Sequence, residues 1–125
     1  MNRTIKFRAK NISGDWVYGY FVKNRHGAFI YTDDVAHYEV DPKTVGQYTG
    51  LDDKNKVEIY EGDIVKTHFD IRNRTDEYNE IGEVVFEELR ITIKDSKHGD
   101  YYRFHEHSEI IGNITDNSNL LVEHE

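Results

Sequence analysis

The 125 residues suffice for one compact domain, or for a small barrel with a subdomain attached, and they contain no cysteine. That excludes a disulfide framework, a thiolate metal site and a cysteine nucleophile. The net charge of −8 is uneven, because residues 1–32 hold six Lys or Arg against one Asp (+5) and residues 33–125 hold ten against 23 Asp or Glu (−13).

An acidic body disfavours nonspecific binding to nucleic acid or anionic lipid through the bulk of the surface, which leaves the basic segment as the exception. No apolar run approaches the roughly 20 residues needed to cross a bilayer as a helix. The opening alternates charged and apolar residues and reads as a strand, so a cytoplasmic protein with no membrane role is expected.

Period-two patterns dominate the chain and no long helical stripe occurs. Ile5, Phe7 and Ala9 alternate with Lys6, Arg8 and Lys10, and Ser13-Gly14-Asp15 supplies a turn. Trp16, Tyr18, Tyr20 and Val22 share one face of the next strand, with Val17, Gly19 and Phe21 on the other. Asn24 to Gly27 forms a hairpin loop that returns through Ala28 to Tyr31. The result is an antiparallel meander from residue 3 to about residue 40.

Asp41-Pro42 marks a boundary, since proline disfavours helix before it and cannot donate in a ladder. Val45 to Thr49 is strand-like, and Gly50 to Lys56 is a polar loop. Beyond it, strands are expected at Ile64 to Phe69, Ile81 to Phe86, Arg90 to Ile93, Tyr101 to Phe104 and Ile110 to Ile114. The charged stretch 72–80 reads as an exposed loop, and Asn117 to Leu121 as a capped helical turn. Strands this short and closely spaced suggest a small barrel that hides its edges.

Val45-Gly46-Gln47-Tyr48-Thr49-Gly50-Leu51, then Asp53-Lys54-Asn55, then Glu58-Ile59-Tyr60-Glu61-Gly62-Asp63-Ile64-Val65, resembles the central signature of YopX-like proteins. These are small proteins of bacteriophages and prophages. The opening Ile5-Lys6-Phe7-Arg8-Ala9 and the closing Glu109 to Ile114 with Leu120-Leu121 agree with it. Three positions depart from the family's usual pattern: Lys56 stands where glycine is usual, Asp52 where a basic residue is usual, and Lys10 where tryptophan is usual. The resemblance implies a bacterial host cytoplasm and a C-terminal part like an SH3-type barrel, but no activity. The expected fold is therefore mainly β with little helix: an N-terminal antiparallel meander with the signature loop (residues 1–56), then a small SH3-like barrel (57–125).

Several groups of residues are candidates for function. In the signature loop, Gly46, Gln47, Gly50, Asp53, Asn55 and Asp63 could form a binding surface, yet the same residue types are what tight β connections demand. Asp52 to Asn55 lacks the alternating acids, central glycine and bidentate glutamate of a calcium loop. His105 and His107 would share a strand face, with His98 across a turn, but no third ligand is set by spacing, so no metal site is expected. Trp16, Tyr18 and Tyr20 near Lys6, Arg8, Lys23 and Arg25 could stack bases and track phosphates. Alternating aromatics more often build a core, and core is the reading favoured here.

No nucleophile-and-base set, phosphate loop or metalloprotease motif occurs, so neither an enzyme nor a cofactor is expected. The expected function is a noncatalytic interaction module that binds a host or phage protein, or a second copy of itself, with Tyr48, Tyr60, Tyr101 and Tyr102 as exposed anchors. The alternative is a nucleic-acid-binding protein that uses Lys6, Arg8, Trp16, Lys23 and Arg25. A small metal-assisted enzyme comes third.

Overall fold

The computed structural model describes residues 5–34, 36–70, 77–87, 90–95, 101–103 and 108–121. The chain is mainly β, with all strand pairing antiparallel, and it divides into two compact units between Gly50 and Leu51.

In the first unit, β1 (Phe7–Lys10), β2 (Trp16–Asn24), β3 (Gly27–Tyr31), β4 (His37–Glu39) and β5 (Gly46–Asp52) lie in the order β4-β3-β2-β1-β5. Side chains close the connections. The Asn11 Oδ1 accepts the amides of Ser13 (3.0 Å) and Asp15 (2.9 Å), which turns β1 into β2. The Asn24 Oδ1 accepts the His26 amide at 2.8 Å in the two-residue hairpin loop. Asp41 caps a 3-10 turn at Pro42–Thr44 by accepting the Lys43 amide at 3.0 Å.

The middle strand β2 serves two ladders: Trp16 to Gly19 pair with β1, and Tyr20 to Asn24 pair with β3. Gly19 sits at the switch, where a Cβ would meet the Tyr31 carbonyl oxygen at 2.1 Å, so only glycine lets the strands approach there. A bridge between Asn11 and Val40 brings the end of β4 back toward β1, and the Lys10 carbonyl accepts the Asp41 amide at 2.9 Å. The sheet curls around Ala9, Ala28, Ile30 and Val40, with Phe7, Val17, Phe21 and Val45 packed on them.

The second unit begins inside β5. It holds β6 (Glu58–Tyr60) beside β5, and a five-stranded sheet of β7 (Asp63–Asp70), β8 (Glu77–Glu87), β9 (Arg90–Asp95), β10 (Tyr101–Arg103) and β11 (Ser108–Asn113) in the order β10-β9-β8-β7-β11. Ile59, Val65 and Val84 are buried together, with Ile110 against them.

Among the described residues this sheet does not close on itself, so the expected SH3-like barrel is not confirmed. Strand β11 pairs with the outer edge of β7 and β10 pairs with β9, and among the described residues no ladder joins β10 to β11. Residues 77–80 are also not loop. They extend β8, where Glu77 to Glu80 pair with Asp70 to Thr67. A ladder partner overrides the weak strand preference of charged residues. Residues 72–76 of that stretch lie outside the described residues. The helical turn expected after β11 is present as a 3-10 turn at Ser118–Leu121, but the Asn117 Oδ1 accepts the preceding Asn113 amide at 3.2 Å. Among the described residues no helix is long and apolar enough to cross a membrane.

Candidate binding face of the N-terminal sheet

The pleat assigns every strand residue of the first unit to one of two faces. Phe7, Ala9, Val17, Phe21, Ala28 and Ile30 point inward to the core. Their neighbours point outward, and pairing places Arg8 opposite Tyr18, Lys10 opposite Trp16, Tyr20 opposite Tyr31, and Tyr31 opposite His37. Trp16, Tyr18 and Tyr20 are therefore not core, which corrects the favoured reading. Both faces of β2 carry apolar residues, and the smaller Val17 and Phe21 face took the interior because it meets Ala9 and Ile30.

The outer face is aromatic and cationic. Tyr20 is 58% exposed and Tyr18 46%. The Arg8 guanidinium lies 4.6 Å from the Trp16 ring centre and the Lys10 ammonium 5.4 Å from it. On the β5 side, the Lys6 ammonium lies 5.6 Å from the Tyr48 ring. Cations at these distances are drawn to the negative ring faces and hold them in place. Toward β4, Tyr31 stacks on His37 at 5.2 Å between ring centres, and Phe29 meets the same imidazole edge-on at 6.1 Å. Tyr18 and Tyr20, two apart on β2, join both groups into one band that runs from β5 to β4.

Of the five residues expected to contact nucleic acid, Lys6, Arg8 and Trp16 share this face. Arg8 is only 8% exposed, lying beneath Trp16, so it orients the ring and offers little charge of its own to solvent. Lys23 pairs with Ala28 on the core-facing side of β2, and Arg25 lies in the hairpin loop with its Nε 3.4 Å from the His26 Nε2. Lys10, Tyr31 and His37 complete the face and were missed. The two-residue loop at Arg25-His26 was the signal that could have found Tyr31, because it sets Tyr20 opposite Tyr31.

Tyr60 is 2% exposed, its ring buried in the second unit, and cannot anchor a partner. Tyr48 is half-buried beside Lys6 on the outer face. Tyr101 and Tyr102 lie in β10, with side chains outside the described residues.

The signature loop is a structural device. The Asp53 carboxylate, almost fully buried, accepts the amides of Asn55 (2.8 Å) and Val57 (2.9 Å) on one oxygen and of Ile110 (3.1 Å) on the other. The Lys54 amide donates to the Ser108 carbonyl at 2.9 Å, so the loop is tied to β11. This tie explains why the loop belongs to the second unit and the division falls at Gly50, ahead of the boundary expected after residue 56. Asp63 accepts the Tyr60 amide at 2.8 Å across the Glu61-Gly62 turn. Gly50 and Gly62 have φ of 84° and 88°, whereas Gly46 is an extended residue paired with Arg8. Lys56 takes φ 65°, the left-handed region that favours glycine.

His98, His105 and His107 lie outside the described residues, and among the described residues no cluster of three or more His, Asp or Glu is placed to hold a metal ion.

These features define a chain of two antiparallel β units whose polar loop at residues 53–57 serves folding and whose N-terminal sheet carries an exposed aromatic band. A family model described as YopX protein matches residues 5–122, and the chain belongs to the YopX family. It is similar in fold to the crystal structure of protein EF1440 from Enterococcus faecalis, with a TM-score of 0.54 and 20% identity over 96% of this chain and 99% of that one. No curated relative matches the chain.

Proposed function

We propose that this protein is a noncatalytic binding module that presents the outer face of its N-terminal sheet to a macromolecular partner. One observation carries the proposal: the aromatic stripe of β2 lies opposite a core already filled by Ala9, Ala28, Ile30 and Val40. Large aromatic side chains are costly to leave in water and are concentrated where proteins bind. The anchors become Tyr18, Tyr20 and Tyr31, in place of the tyrosine set that includes the buried Tyr60. The family's residence in phages and prophages supports a phage or prophage product acting in the bacterial cytoplasm.

The test is affinity capture from bacterial lysate by the full chain and by a Tyr18→Ser/Tyr20→Ser variant of unchanged Tm. A protein or nucleic acid retained by the native chain and lost by the variant supports the proposal. Equal retention by both assigns binding to another surface, and capture of nothing by either chain overturns the module.

A further inference from the structure

We infer that the ligand of this face is single-stranded nucleic acid, an inference that rests on the binding face proposed above and deepens it. Within the first unit the face presents Lys6 and Lys10, with the Arg8 guanidinium beneath the Trp16 ring, against one strand carboxylate, Glu39, although the chain as a whole is strongly acidic. The charge complement of such a patch is a polyanion. The cations and rings are also interleaved. Lys6 lies by Tyr48, and Lys10 lies by Trp16 on the strand next to Tyr18 and Tyr20. A ligand that matches both must offer charge and flat π-surfaces at short, regular intervals, which a nucleic acid with unstacked bases does.

Sheets that bind single strands do so by stacking bases on exposed rings of one face while flanking cations follow the backbone. The Tyr20, Tyr31 and His37 ladder supplies rings on three adjacent strands, and Lys10 lies beside it on β1, with Lys6 just ahead of that strand. A duplex keeps its bases stacked and offers no ring surface, so it gains only the charge contacts. The acidic second unit repels any polyanion and limits the affinity, which makes the interaction salt-sensitive and dependent on stacking.

The experiment uses the purified full chain. Trp16 is its single tryptophan and lies in the site, so its fluorescence reports binding directly. Labelled single-stranded DNA and RNA of about 12 nucleotides, within the roughly 4–16 nucleotides one such domain covers, are titrated by anisotropy and Trp16 quenching. The same duplex and poly-aspartate serve as controls.

The single strands are expected to bind and quench Trp16. Affinity should fall about ten-fold between 50 and 200 mM salt, as two or three phosphate contacts require. Tyr18→Ser/Tyr20→Ser should weaken binding about ten-fold or more through lost stacking, and Lys6→Glu/Lys10→Glu should flatten the salt dependence. Equal binding of duplex or poly-aspartate would overturn the inference by showing charge alone at work. No binding of any single strand would also overturn it. If, with no strand bound, lysate capture still yields a protein lost by the tyrosine variant, the binding face stands and only its ligand is wrong.

Discussion

The outer face of the N-terminal sheet and the loop at residues 53–57 both concentrate side chains able to recognise a ligand, and they use them in opposite ways. In the loop, the Asp53 carboxylate accepts three backbone amides and is shut away from solvent. On the sheet, Tyr18 and Tyr20 stand in water above strands whose hydrogen bonds are made by the ladders beneath them. The loop carries the family's most recognisable residues and the face carries common ones. A signature can therefore mark a folding requirement, because a tight β connection constrains residue type more severely than an aromatic contact surface does.

Substitutions can break this contrast. Asp53→Ala has the largest expected effect, since it strands three amides of the loop and β11. It should cost about 3 kcal/mol and lower Tm by on the order of 10 °C, with ligand binding by the remaining folded protein unchanged. A Tm within a degree or two of native would mean that the loop is not the structural tie described.

Tyr18→Ser/Tyr20→Ser should do the reverse. Chemical denaturation should place its stability within about 0.5 kcal/mol of native, as for exposed sites generally, while capture of the partner is lost. A large destabilisation would return these rings to a packing role.

A smaller effect, of opposite sign, is expected at Lys56. Its φ of 65° strains any residue with a Cβ, and it stands where the family usually has glycine. Lys56→Gly should raise stability by about 0.5–1 kcal/mol, the relief of left-handed strain less the added freedom of the unfolded chain. An unchanged or lower midpoint in urea would count against the strain.

The least effect belongs to Asp34, whose pKa is lowered chiefly by the hydrogen bond from the Thr32 hydroxyl and then by a backbone amide bond. A depressed carboxyl stabilises the fold above its unfolded value near 3.9, and that stability disappears as pH falls through the lower folded value. Because Asp34 is exposed, Asp34→Asn should narrow the Tm difference between pH 6 and pH 3 only slightly. A wider gap in the variant would reverse the assigned sign.

Much of the fold was legible along the chain. Alternation located β1, β2, β3 and β5, the Asn24 to Gly27 hairpin was marked by its turn residues, and the helical turn after β11 was marked by the stretch Asn117 to Leu121. These are local features: each depends on residues a few positions apart. The roles of Asp53 and Asp63 in closing turns were legible for the same reason.

The sequence by itself determined a cysteine-free, mainly β chain with a basic start and an acidic remainder, and it determined where most strands and turns fall. Only the tertiary structure decided which face of β2 is inside. Trp16, Tyr18, Tyr20 and Val22 compete with Val17 and Phe21, and alternation cannot rank two apolar faces. The choice is made by the register with β1 and β3, which opposes Val17 to Ala9 and Phe21 to Ile30 and leaves the larger rings to solvent. The strand order of the C-terminal sheet was decided the same way, by β11 pairing with β7 across some forty residues of chain. Long-range pairing sets which edge a strand joins, and no local pattern encodes it.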